Sequence, residues 1–299
     1  MRELEEAIRD LLWSAWVELG IPGTVRRHDS VALDPEPLVV FTIRLAAGDP
    51  RLLGLVYDWC GCHGSWLSVS RIAGIARAAP EYVRNDFARF SSALATEGLH
   101  WRPRADPPLP LVRDRKAIAL PLERPALVAL RLRCLAGVST RAEVLGCLLA
   151  TGSVHADAAR LTPGGVSRRS VERVLADLEA AGLVVRVGEE RRRRYRLREA
   201  ALVSRLLGSS DLTWVDWRRL LEFASVLREV ALNPDPSAKL RRVQAVSAAS
   251  ALSTLAGWLP ELGPIDVSGR EDAFERLLSW GTTAVRRFAE GWAPHPTHL

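Results

Sequence analysis

The chain has 299 residues, 48% of them hydrophobic and 25% charged, which is ordinary for a soluble globular protein and long enough for two or three domains. A formal net charge of +6 and a pI near 9.7 point to an anionic partner without choosing among DNA, RNA and a membrane surface. Four cysteines, at positions 60, 62, 134 and 147, exclude a disulfide framework in a chain this long, and no uninterrupted apolar run could span a bilayer.

The opening Met1-Arg2-Glu3-Leu4-Glu5-Glu6 lacks the basic-then-apolar order of a secretory signal, so a cytoplasmic, nucleoid-associated location is expected. Leu4, Ala7, Ile8, Leu11, Leu12 and Ala15 recur at helical spacing and predict a helix from Glu3 to Leu19, ended by Gly20. Asp34-Pro35 and Asp49-Pro50 each read as a cap followed by proline at the first helical position. Cys60-Gly61-Cys62-His63 tempts a metal reading, but zinc needs four ligands and no second Cys or His pair follows nearby. Packing near a helix end is the plainer expectation, with no metal and no cofactor. Residues 71–99 also echo residues 155–183, with Arg84 on Arg168, Arg89 on Arg173 and Gly98-Leu99 on Gly182-Leu183. That echo predicts a second, degenerate helix-turn-helix, whose Asn85 and Asp86 suit DNA poorly.

Prolines at 103, 107, 108, 110, 121 and 125 block a continuous helix, so the stretch from Arg102 to Arg124 reads as a linker. All ten Trp lie at or before Trp101 or at or after Trp214, and between them Tyr195 is the one aromatic residue. The division expected is a helical domain at 1–104, a linker at 105–125, a central domain at 126–200 and a helical domain at 201–299.

In the centre, Thr140 to Leu149 predicts an amphipathic helix and Val154 to Leu161 a second, short one. Pro163-Gly164-Gly165 makes a turn; no Gly-Lys-Ser/Thr follows, so it is no phosphate cradle. Ser167 can cap the next helix, in which Val171, Val174, Leu175 and Leu178 form the inner face. Arg168, Arg169, Ser170 and Arg173 occupy its other face at the N-terminal end, where the helix dipole favours a phosphate. Gly182 stops the helix, residues 183–187 turn to strand chemistry, and Arg191, Arg192, Arg193, Arg194, Tyr195, Arg196 and Leu197 return as the second strand of a hairpin. Residues 131–199 hold fourteen Arg against eight Asp plus Glu, so this segment alone accounts for the excess charge.

After the centre, helices are expected over residues 214–232 and 237–259, with a final one reaching about Gly291 after the capping-box spacing of Ser268 to Glu271. The second of these is rich in small residues, Ala245, Ser247, Ala248, Ala249, Ser250, Ala251, Ser253, Ala256 and Gly257, and is a candidate dimer face; packing inside a helical bundle is the competing reading.

The run Gly165 to Leu175, followed by Leu178-Glu179-Ala180-Ala181-Gly182-Leu183-Val184, resembles the recognition helix and wing entry of winged helix-turn-helix regulators of the broad MarR and ArsR kind. The likeness spans roughly a quarter of the chain and departs from simpler members in its four consecutive wing arginines and its large flanks. It implies a mainly α fold with a small β-wing, binding double-stranded DNA as a homodimer. Arg168, Arg169, Ser170 and Arg173 would read bases, Ser167 would cap the helix beside a phosphate, and Arg191 to Tyr195 would follow the backbone. No His-Glu-x-x-His, Gly-x-Ser-x-Gly or dinucleotide fingerprint occurs, so a transcriptional regulator rather than an enzyme is expected. Two other readings stay open. One is an interaction module, such as an antitoxin or regulatory subunit, gripping a protein partner with its helical flanks; the other is a small-molecule-responsive repressor.

Overall fold

Helix α1 (Arg2–Glu18) forms as its periodicity demands, and its apolar face is buried throughout. The computed structural model describes residues 1–111, 118–189, 192–208, 212–235, 237–256, 265, 267 and 272–292. The described residues are mainly helical, with two small sheets. Helices α2 (Pro35–Leu45) and α3 (Pro50–His63) start at the expected prolines. The Asp49 carboxylate caps α3 by accepting from the Leu52 amide at 3.0 Å, whereas the Asp34 carboxylate is taken by an arginine described below. Helices α4 (Val69–Ala78) and α5 (Glu81–Ala95) complete the first third.

Helix α2 decides the architecture. Of its eleven residues only Arg44 is not buried, and all but Glu36, Thr42 and Arg44 are apolar, so it needs cover all round. Helices α4 and α5 supply one side; α10 (Trp217–Leu232), from the far end of the chain, supplies another. Likewise α12 (Ala273–Ala289) lies along α1. Trp16, Trp59, Trp101, Phe87 and Phe90 therefore share one core with Trp217 and Phe288. The first and last thirds are not separate helical domains, as the tryptophan distribution suggested: neither could bury its own apolar surface alone. The indole N–H groups of Trp16, Trp59 and Trp217 donate inside this core to Thr42 Oγ1, the Leu19 carbonyl and the Ala32 carbonyl, at 2.8 to 2.9 Å. Among the described residues no helix is long and apolar enough to cross a membrane.

Three further expectations change. Where it is described, at residues 102–111 and 118–124, the proline-rich stretch is a strap and not a free linker. The Ala105 amide donates to the Ala88 carbonyl at 3.2 Å, the Leu109 amide to the Arg89 carbonyl at 3.1 Å, and Arg124 to the Val17 carbonyl at 2.5 Å. Ile118, Leu120 and Leu122 rest on the core, which offsets the cost of fixing this backbone. The echo of residues 155–183 in residues 71–99 is not a structural repeat, because α4 is a full helix where residues 156–157 form a strand, and among the described residues no hairpin follows Leu99. Finally, α11 (Ala238–Ala256) buries Ala245, Ala248, Ala249 and Leu252 between α10 and α12, so one part of its small-residue face packs within the bundle, while Ser247, Ser250, Ala251 and Ser253 are exposed. The expected capping box at Ser268 to Glu271 and the stop at Pro260 lie outside the described residues.

His28 ties the two ends of this core together. Its Nε2 lies 2.7 Å from the Phe288 carbonyl and its Nδ1 lies 2.8 Å from Ser14 Oγ, with the ring edge-on to Trp217. Nε2 must donate, so Nδ1 accepts from the serine and the ring is neutral. Burial brings its pKa down to about 4. The unfolded chain takes up this proton below about pH 6.5 while the fold refuses it, so the contribution of His28 is intact above 6.5 and is lost as pH falls to about 4. The stability difference between wild type and His28→Gln is expected to shrink by about 3 kcal/mol over that interval. Urea titrations at several pH values test this; a difference independent of pH would mean that the ring is charged or solvated.

Candidate nucleic-acid interface

The centre has its own, aliphatic core. Helices α6 (Val128–Ala136) and α7 (Thr140–Thr151) are followed by strand β2 (Ala156–Asp157), a turn, and helix α8 (Arg168–Ala180). The hairpin of β3 (Val184–Val187) and β4 (Arg194–Leu197) comes next, and α9 (Ala200–Leu206) ends the unit. Strand β4 lies between β2 and β3, antiparallel to both, with Ala156 opposite Tyr195 and Val187 opposite Arg194. The short helix expected over residues 154–161 is absent. Eight residues gain too little from about two helical turns, and Ala156 and Asp157 instead join the sheet. The Asp157 carboxylate then accepts from the Arg160 amide at 2.9 Å and closes a single turn. A two-residue parallel pairing of β1 (Val31–Ala32) with β5 (Thr213–Trp214) ties the entry to α10 back onto the first third.

Ser167 caps α8, its hydroxyl accepting from the Ser170 amide at 3.2 Å and lying 2.8 Å from the Ser170 hydroxyl. Ser170, expected to face a base, is thus half-buried and engaged with the cap. Val171, Val174, Leu175 and Leu178 face inward. Arg169 and Arg173, one turn apart on the opposite stripe, are exposed, and among the described residues their side chains make no ion pair or hydrogen bond. Arg168 reaches Glu172 at 2.8 Å, but both are well exposed, and such a pair is worth only about 0.3 to 0.5 kcal/mol, easily exchanged for a phosphate.

On the hairpin, the period of two sorts the arginines. Arg192 and Arg194 are exposed and Arg193 is half-buried; Arg191 lies outside the described residues. Tyr195 is 6% exposed and belongs to the second core, which corrects its expected place on the outer surface. On β4 the alternation puts Tyr195 and Leu197 inward, with Arg194 exposed and Arg196 half-buried on the other face, so the ring joins the aliphatic side chains of this core.

The turn leading into α8 is clamped. Gly165 has φ +86° and lies so close to α4 that a Cβ there would sit 2.6 Å from the Arg71 carbonyl oxygen. A Cβ on Gly74 would sit 2.4 Å from the Gly165 Cα. Arg71 Nε donates to the Gly164 carbonyl at 3.2 Å. Behind this contact lies a buried ionic network joining the two cores, which the sequence reading missed. Arg71 grips the Asp34 carboxylate with both Nη atoms and reaches Glu36 at 2.7 Å. Arg133 meets Glu36 at 2.8 Å, Glu143 at 2.7 Å and the Trp66 carbonyl at 2.8 Å. Burial opposes the charge on Glu36, yet Arg133 and Arg71 together hold its carboxyl down to about 2. Asp34 is pushed up to about 6 by burial, which outweighs its pairing with Arg71, and Glu36 and Glu143 add to the rise. The signal for the network was Arg133, a charge at a core position of an apolar helix.

The Cys60 to His63 cluster points apart. Cys60 is fully buried and burial raises its thiol pKa, while His63 Nε2 meets the Ile118 carbonyl at 2.7 Å. Among the described residues no three His, Cys, Asp or Glu side chains gather as metal ligands. Compared with known proteins, the chain matches no family model, no curated protein and no solved structure.

Proposed function

We propose that the chain is a sequence-specific, double-stranded-DNA-binding transcriptional regulator whose central unit is a winged helix-turn-helix. The observation that carries this reading is the stripe of Arg169 and Arg173, exposed and unpaired at the capped N-terminal end of α8, beside a hairpin that turns Arg192 and Arg194 outward. The order helix, strand, turn, helix, hairpin, with β4 between β2 and β3, supports it as the expected frame of such a domain. Arg169 and Arg173 would read base edges in the major groove, while Arg168, Arg192 and Arg194 set register on phosphates. The protein would act as a homodimer on two half-sites.

The test is selection of bound fragments from random DNA at two salt concentrations, followed by titration of the selected site. Arg169→Ala is expected to weaken specific binding by about 1 to 3 kcal/mol and to relax one position of the site. Arg194→Ala should weaken selected and random DNA alike and lower the salt slope by about 1. Equal losses on both DNAs for Arg169→Ala would remove it as a base reader. A chain that enriches no sequence and ignores duplex DNA would hand the same arginines to an acidic protein partner.

A further inference from the structure

A cavity of about 430 Å³ lies between the two cores, a volume that takes a small organic molecule. Leu132, Cys147 and Trp214 give it apolar walls, Asp34 stands on its lining, and the turn from Thr162 to Gly164 closes another side. We propose that this cavity binds a small organic cation, an amine or amidinium on a flat apolar body.

The charge of its surroundings favours that class. Asp34, Glu36 and Glu143 are three carboxylates that share only two guanidiniums, those of Arg71 and Arg133, so the network beside the cavity is one positive charge short. Asp34 stands on the lining and is the member of the three with the most open side chain, 25% exposed against 0% for Glu36 and 10% for Glu143, which marks the seat a cation would take. The arginines of α10 on the lining do not reverse this balance. Arg218 is held by Glu222 at 2.8 Å and Arg219 by Asp216 at 3.3 Å. Arg160 is exposed, where water screens it. The Trp214 indole on the wall adds the cation–π attraction that an aromatic face offers to a desolvated positive group.

Occupancy would reach α8 directly. Pro163 and Gly164 line the cavity, Arg71 holds both Asp34 and the Gly164 carbonyl, and α8 begins four residues later at Arg168. A cation that competes for Asp34 loosens the hold of Arg71 on this turn, so the ligand would regulate DNA binding. That consequence rests on the proposed function; the binding site does not.

Calorimetry on the full chain at pH 7.5 tests the site with benzamidine as the probe, against benzoate and benzyl alcohol as anionic and neutral molecules of similar size. Benzamidine is expected to bind at least tenfold more tightly than either. Asp34→Asn, which removes the surplus charge at nearly constant shape, should weaken it at least tenfold. Ala150→Leu, which fills part of the cavity from a half-buried position on α7, should do the same, and it keeps the test decisive if the aspartate variant folds poorly. No benzamidine binding, preference for benzoate, or binding that survives both substitutions would overturn the proposal. Benzamidine binding in a chain that ignores DNA would keep the cation site and remove only its link to α8.

Discussion

Arg133→Ala is expected to destabilise the fold by about 3 to 5 kcal/mol, measured by urea unfolding at pH 7.5. The Arg133 guanidinium has no solvent exposure and is bonded to Glu36, Glu143 and the Trp66 carbonyl. Removing it leaves three carboxylates around Arg71 alone, and Glu36 is itself fully buried, so it has no water to turn to. The cost is mostly that of stranded acceptors and not of one lost contact, which fixes how it should vary. The destabilisation should shrink as pH falls toward 5, because without Arg133 the buried carboxylates take up protons more easily in the fold than in the unfolded chain. Arg133→Met combined with Glu143→Gln should cost less than the sum of the two single changes, by about 1 kcal/mol or more, since the pair leaves fewer unmatched charges. A loss below about 1 kcal/mol for Arg133→Ala would mean that water reaches the network.

That network also marks where sequence reading fails. Periodicity and caps belong to a segment and are legible in it, so α1 and α8 start and stop, and α2 and α3 start, close to where their residues predict. Partners do not belong to a segment. The sequence around Arg71 says only that a charge sits one turn before Ile75 on an apolar face, and nothing local names Asp34, Glu36 and Gly164 as its partners. For the same reason the tryptophans at the two ends looked like two cores, when the all-round burial of α2 requires one. The strand at Ala156 was illegible because its preference comes entirely from β4, some forty residues later. Within the candidate interface, the cap at Ser167 and the stripe of Arg169 and Arg173 could be read from spacing. The inward turn of Tyr195 followed from the alternation of the strand, once its register was known.

Gly165→Ala is expected to cost about 2 to 6 kcal/mol, and the size of that cost separates two causes. One is backbone conformation: at φ +86° any L residue is strained, by about 1 to 2 kcal/mol. The other is the clamp itself, since the new methyl would lie 2.6 Å from the backbone oxygen of Arg71, which cannot swing aside as a side chain would. Gly182 isolates the first cause. Its φ is +71°, and a Cβ there meets nothing within 4 Å, so Gly182→Ala should cost only the backbone strain. Gly74 isolates the second. It lies inside α4 with ordinary helical backbone, where alanine normally gains about 0.5 to 1 kcal/mol, yet its methyl would lie 2.4 Å from the Gly165 Cα. Gly74→Ala should therefore destabilise despite its better helix propensity, and that reversal of sign is the decisive reading. If Gly74→Ala stabilises, α4 and the turn before α8 do not touch in solution, and the orientation of α8 is set by its own small core alone. If it destabilises as expected, hydrogen exchange should quicken in the turn from Pro163 to Val166 while the amides of α8 keep their protection, because Val171, Leu175 and Leu178 still anchor that helix from its other side.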